Sequence, residues 1–439
     1  MKRDNRPSHV FENDKVTFKS FINEFTNDDY KSFDLTAKKI GLDSKIDDLF
    51  NGKLVNFTEK LAAWHPKYRA QYNPKKSDTF SHKMQQNQLI NFNDLCARAK
   101  NIVTIGIGGS YEGPKMFFEI MDLTHTDTNF LFITGSDLSE FRTKTRDIVP
   151  KDTIFIVSSK SFKTLETLTL LKEAVKWSGD IDNFVAITAN KDEAKKHNIN
   201  CIIEFDHEIG GRYSVWSEIS ILFYWLNKEN FNDFMAGGRQ ADIDLQNDEA
   251  YLKFVKNLSY SDIWLHNFNN KHSRVVLSYI WAWRSFPDYI QQLEMESLGK
   301  QPFLKSNYKK TGQIVFGGYG PTAQHSYFQL LHQGTQDVCV DIIASTEDKK
   351  SLAYVQAITQ SELLSEGSKD FKGLEEINGN VPTNLFLIDN SDTFNLGYLL
   401  ATWEHRTYIT ATMLGINPFD QFGVTAGKIY TDKYLSDKD

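Results

Sequence analysis

Residues 153–167 read TIFIVSSKSFKTLET. Ile154, Phe155, Ile156 and Val157 form a short apolar run without polar alternation, the pattern of a strand covered on both faces. Ser158, Ser159, Lys160, Ser161, Lys163 and Thr164 follow within seven residues. Beyond them Leu165, Leu168, Leu171 and Val175 recur at helical spacing. A buried strand that passes through a polar turn into an amphipathic helix is half of a βαβ unit.

The same rhythm runs outward on both sides. NIVTIGIGGS (101–110), NFLFITG (129–135), NFVAITA (183–189) and CIIEF (201–205) read as strands, with helix-period residues in the gaps. After an Asn/Asp-rich helical stretch over 218–268, strands resume at SRVVLSYI (273–280), GQIVFGG (312–318), DVCVDIIAS (337–345) and TNLFLID (383–389). Strands separated by helices build mainly parallel sheets with helices on both faces. The predicted class is therefore α/β, with two doubly wound domains. The boundaries read as a helical N-terminal segment over 1–60, a first α/β domain over 61–230 and a helical connector over 231–268. A second α/β domain over 269–410 and a helical tail over 411–439, packing back on the active site, complete the division.

Composition narrows the function. The 439 residues carry a formal net charge of -7, which does not match the basic excess of a nucleic-acid binder. An anionic small substrate stays compatible, because a local cationic pocket outweighs distant, screened charge. Three cysteines, Cys96, Cys201 and Cys339, are too few and too far apart for a disulfide framework and predict a reducing compartment. No apolar run is long enough for a membrane span and the N-terminus has no signal-peptide core, so the expected location is the cytoplasm, without membrane or nucleic-acid partners.

Several stretches carry chemistry. In SSKSFKT a strand end meets a helix start, where free N–H groups and the dipole favour an anion, and Ser159, Ser161, Thr164 and Lys160 add donors and charge. Ordinary N-capping by Ser and Thr explains the same pattern equally well. GIGGSYEGP (106–114) runs a strand into glycines, but Tyr111 occupies the third glycine of a dinucleotide fingerprint and leaves only Asp137 in that reading's favour. GGRYSVWSEIS (210–220) sets Arg212 after two glycines, either an oxyanion partner or a surface ion pair. QQLEMESLGK (291–300) offers Gln292, Glu294 and Glu296, with a general base or an exposed helix end as alternatives. TAQHSYFQLLHQG (322–334) puts His325 and His332 seven apart, on one helix face, without a metal-binding spacing. NPFDQFGVTAGK (417–428) holds Gln421 and Lys428.

Taken in this order, GIGGSYEGPK, SSKSFKTLET, GGRYSVWSEI, QQLEMESLGK, AQHSYFQLLHQGT and NPFDQFGVTAGK resemble the phosphoglucose isomerase family over about residues 103–430. The resemblance implies two sugar-isomerase (SIS) type α/β/α sandwiches. It implies reversible aldose–ketose isomerisation of glucose 6-phosphate and fructose 6-phosphate through a cis-enediolate, in glycolysis and gluconeogenesis, with no cofactor and no metal. By resemblance the phosphate falls to Ser159, Lys160, Ser161 and Thr164, with Gly109, Ser110 and Gly211 beside the sugar. Glu296 is implied as general base, Arg212 as the enediolate's partner, His325 and Lys428 as ring-opening groups, and Gln292 and Gln421 as pocket residues. The family also implies a homodimer with His325 supplied across the interface. A sugar-phosphate sensor without catalysis is the alternative, and it would not need Glu296, Arg212, His325 and Lys428 together. The chain departs from the family pattern at Ser161, Lys163, Leu298 and the loop GGYGPTAQH before His325.

Overall fold

A computed structural model describes residues 6–72, 86–121, 126–302, 306–368 and 370–436. Eleven strands are formed among them: β1 (His9–Glu12), β2 (Val16–Ser20), β3 (Asn101–Ile105), β4 (Asn129–Ile133), β5 (Thr153–Ser158), β6 (Phe184–Thr188), β7 (Cys201–Glu204), β8 (Ser273–Ser278), β9 (Ile314–Tyr319), β10 (Val338–Ser345) and β11 (Thr383–Ile388). Every strand expected from β3 onward is present. The first sheet runs β4-β3-β5-β6-β7, all parallel. β5 lies at its centre with every residue buried, as its unbroken apolar run requires.

The second sheet runs β1-β2-β11-β10-β8-β9. Its β8–β11 part is parallel, while the hairpin β1–β2 is added antiparallel at the β11 edge. This corrects the reading of residues 1–60 as helical. The segment HVFENDKVTFKS alternates with period two: Val16, Phe18 and Ser20 turn inward, with Phe18 against Phe386 and Phe254. Asn13 closes the turn by accepting from the amides of Lys15 and Val16, both at 2.9 Å. Two strands of four and five residues among polar neighbours leave a weak periodic signal. The helices Asn27–Ile40 and Leu42–Phe50 follow within the same segment.

Residues 231–268 are also more than a connector. The helices Lys228–Asn247 and Glu249–Asn267 join one apolar cluster with the N-terminal segment, both domains and the helix Thr393–Leu414. A Cβ at Gly237 would strike the carbonyl of Phe394, so a close helix crossing sits within the expected helical connector. The helix Thr393–Leu414 runs through the expected boundary at 411 and is buried nearly all round. Its Glu404, His405 and Arg406 are buried because each meets a partner: Glu404 with Arg69 at 2.6 Å, His405 with Asp242 at 2.8 Å, Arg406 with Asp262 at 2.7 Å.

The tail differs from expectation as well. The helix Thr425–Ser436 buries no residue on the body of the chain. Cys96, Cys201 and Cys339 are buried free thiols. Among the described residues no helix is long and apolar enough to cross a membrane.

Candidate active site

In the stretch after β5 the hydroxyl at the helix start is not spent on capping. Thr164 occupies the N-cap position of the helix Leu165–Ser178, yet its side chain does not cap it. The Thr164 hydroxyl instead meets the Ser159 hydroxyl at 3.1 Å. Ser159 Oγ accepts from the Phe162 amide and Ser161 Oγ from the Lys163 amide, each at 3.2 Å. Buried Phe162 takes a left-handed turn at φ 51 to bring these groups around. The first amides of a four-turn helix thus remain available beside three hydroxyls and Lys160. Burial, reinforced by Arg212 and opposed by Glu59, holds the Lys160 ammonium below its ordinary value. Lys163 turns outward to Glu193 at 3.2 Å and belongs to the surface.

Glu296 lies in the last turn of the helix Phe286–Leu298. Arg212 Nε donates to its Oε2 at 2.8 Å, and Gln292 Nε2, one turn earlier, donates to Oε1 at 3.1 Å. The Glu296 side chain keeps 33% exposure while Arg212 keeps 2%, so the carboxylate is the accessible member of the pair. Arg212 stands in the 3₁₀ turn Gly211–Trp216. Its Nη1 donates to the Pro418 carbonyl at 2.7 Å, and its Nη2 to the Asp420 carbonyl at 3.3 Å and to Gln421 Oε1 at 3.2 Å. Tyr289, on the Glu296 helix, donates to the Arg212 carbonyl at 2.8 Å.

The glycine loop completes the convergence. A Cβ at Gly109 would run into the Gly211 carbonyl, and one at Gly108 would come 2.8 Å from Gln292 Nε2. Only glycine lets the Gly108–Ser110 turn touch both the arginine turn and the glutamate helix. Gly109, Ser110, Gly211, Arg212, Gln292, Glu296 and Gln421 are therefore brought together from four separate stretches. The charge of Arg212 also reaches the Lys160 ammonium and helps to lower it.

His325 and Lys428 are not brought in. His325 is exposed just after the short helix Gly320–Ala323, its amide bonded to Thr322 at 3.0 Å. Lys428 is exposed on the tail helix. His325 and His332 do not share a helix, because Phe328–Gln333 starts after His325, and half-buried His332 meets Gln360 at 2.8 Å. Glu294 points away from the cleft to Arg274 at 3.1 Å, and Asp137 caps a helix through the Ser139 amide at 2.9 Å.

Lys300 joins this cluster without a local sequence signal. It pairs with Asp420 at 3.2 Å, and burial, with help from Arg212, pushes its ammonium down to about 8 against Asp420 and Glu296. It ends the stretch QQLEMESLGK, but nothing local distinguishes it from a solvated lysine. The Pro418 and Asp420 carbonyls carry no side-chain signature at all.

Residues 20–438 match the family profile described as Phosphoglucose isomerase. The chain belongs to the phosphoglucose isomerase family. The glucose-6-phosphate isomerase of Polaromonas naphthalenivorans is 32% identical over 90% of this chain and 81% of its own length. That of Campylobacter jejuni subsp. doylei is 32% identical over 92% of this chain and 84% of its own. In fold, the chain resembles a glucose-6-phosphate isomerase from Chlamydia trachomatis, with a TM-score of 0.84 at 23% identity, covering 97% and 89% of the two chains. The tagatose-6-phosphate ketose/aldose isomerase of Escherichia coli shares the fold more loosely, with a TM-score of 0.52 at 12% identity over 81% of this chain and 94% of that one. The two-sheet α/β architecture of the phosphoglucose isomerase family is thus the one observed.

Proposed function

We propose that this chain interconverts glucose 6-phosphate and fructose 6-phosphate, with the reacting carbons held over the Arg212–Glu296 pair. The observation that carries the assignment is that 2.8 Å pair, open to the cleft through Glu296, beside an uncapped helix start lined with hydroxyls. Ser159, Ser161, Thr164 and Lys160 take the phosphate at the helix N-terminus. Phosphate binding then sets the register of the sugar carbons against Glu296. Glu296 removes the proton beside the carbonyl and returns it to the adjacent carbon. Arg212 faces the negative charge of the cis-enediolate. Gln292 and Gln421 hold the carboxylate and the guanidinium in this orientation. A sensor needs no such acid–base pair, and the catalytic reading is the one the family supports.

Ring opening falls to His325 and Lys428, which are supplied on assembly. Exposed His325 serves the site of a second copy, and the tail helix closes on the assembled pair. Phe422, Ile429, Tyr430 and Tyr434 are each at least 60% exposed on the free chain, which suits a segment that gains a partner. A reducing, cytoplasmic setting accords with the three free thiols.

A coupled assay on fructose 6-phosphate tests the reaction, and lack of turnover by the pure chain would refute it. Mixing tests the shared site. Glu296→Gln and His325→Ala chains, each inactive alone, should regain about a quarter of parental activity after denaturation and refolding together. Half the dimers are then mixed, each with one intact site. No recovery places both residues in one chain's site. Lys160→Met should raise KM for fructose 6-phosphate about tenfold or more, from the lost charge-assisted contact, with a smaller change in kcat. An unchanged KM would remove Lys160 from the phosphate site.

A further inference from the structure

The two carbonyls that hold Arg212 are themselves held by residues remote in sequence. Asn56–Leu61 forms a turn closed by two backbone bonds, at 3.0 Å and 3.1 Å. From it Thr58 Oγ1 donates to Asp420 Oδ2 at 2.7 Å. The Asn417 side-chain amide donates to Asn56 Oδ1 at 2.8 Å and to Thr58 Oγ1 at 2.6 Å. On the other side Lys300 donates to the Asn417 carbonyl and pairs with Asp420 Oδ1 at 3.2 Å. Asn417 and Asp420 are 2% and 6% exposed, so these bonds are anchored at their buried ends.

We propose that Thr58, Lys300, Asn417 and Asp420 form a positioning clamp that sets the direction of the Arg212 guanidinium. This inference rests on the isomerase reading and adds the residues that tune it. The clamp grips both ends of the segment 417–420, whose Pro418 and Asp420 carbonyls receive Nη1 and Nη2 of Arg212. A guanidinium is planar, so two fixed acceptors on its outer edge determine where Nε points. Nε points at Glu296. The tail helix starts five residues after Asp420, and a segment held by backbone bonds alone would follow that tail. Lys300 is retained here in spite of burial and the like charge of Arg212, with Asp420 as its counter-charge. None of the four is a catalytic residue, since each acts through Arg212.

The experiment compares Thr58→Val with Thr58→Ser on fructose 6-phosphate. Thr58 is exposed, so valine keeps the shape of the turn while removing both bonds of the hydroxyl. Thr58→Val is expected to lower kcat about ten- to a hundredfold with KM within about twofold, and Thr58→Ser to stay near the parent. In an Arg212→Lys background the Thr58→Val change should add less than about twofold, because the group it positions is gone. Near-parental kcat for Thr58→Val overturns the clamp, as does the same full loss in the Arg212→Lys background. If Thr58→Val does not fold, Lys300→Met against Lys300→Arg reads the same quantities, with loss expected for methionine and rescue by arginine. An inactive parent would overturn the isomerase reading itself, and it is measured before any variant.

Discussion

Glu296→Gln is expected to lower kcat by about 10³-fold while leaving KM for fructose 6-phosphate within about threefold. The substitution is nearly isosteric. It keeps a side-chain oxygen for Arg212 or Gln292 to donate to, but it removes the carboxylate proposed to accept the carbon-bound proton. The hydroxyl turn proposed to take the phosphate lies in a different element and is untouched. Binding and chemistry should therefore separate. Exchange of the substrate's transferred hydrogen with D₂O, followed by NMR, should vanish together with turnover, while fructose 6-phosphate still protects the protein against thermal unfolding. Turnover within tenfold of the parent would reassign the base. Loss of binding and turnover together would mean that Glu296 serves the architecture of the cleft.

Arg406→Met should have the largest effect on stability. Arg406 grips Asp262 with two bonds at 2.7 Å and Asp341 with one at 2.8 Å, in a fully buried position. Arg274 already serves the same pair, at 3.3 Å from Asp262 and 3.7 Å from Asp341, and also Glu294 at 3.1 Å. Removing Arg406 leaves three buried carboxylates with one guanidinium, a loss of about 3–5 kcal/mol. Glu294 belongs to the helix that carries Gln292 and Glu296, so the damage extends to the site.

The pH dependence follows in sign. Burial already raises Glu294, with Arg274 and then Arg406 opposing it. Without Arg406 its native-state affinity for a proton rises further, so Glu294 of the native variant keeps its proton to higher pH than in the unfolded chain. Stability of the variant then falls as pH rises, and its deficit is smaller at pH 5 than at pH 8. Urea midpoints at the two pH values check this. A deficit below about 1 kcal/mol, or one larger at pH 5, would count against the network.

Local signals account for what was legible without coordinates. β5 announces itself by four consecutive apolar residues, and the hydroxyl turn by its place between that strand and a helix. The glycine loop is legible because three glycines in four positions, 106–109, imply close backbone approach. The hairpin β1–β2 was missed for the opposite reason. Its two short strands gain their stability from β11 and from Phe254 and Phe386, far along the chain. The sequence pattern places the end of one domain and the start of a tail within the helix Thr393–Leu414. Its burial comes from Lys228–Asn247 and Glu249–Asn267, and no local pattern expresses that.

By itself the sequence determined the α/β class, nine of the strands and the chemical types in the cleft, because strand period, helix period and glycine turns are properties of neighbouring residues. Family resemblance then assigned roles that spacing left open. Only the tertiary structure decided that Arg212 meets Glu296 across 84 residues, that Thr164 leaves its helix uncapped for Ser159, and that Lys163 leaves the cleft for Glu193. It alone decided that His325 and Lys428 are exposed on the single chain. The physical reason is the same in each case. A hydrogen bond or ion pair between distant elements depends on where the backbone returns, and the acceptors that orient Arg212 are carbonyls, which every residue carries alike.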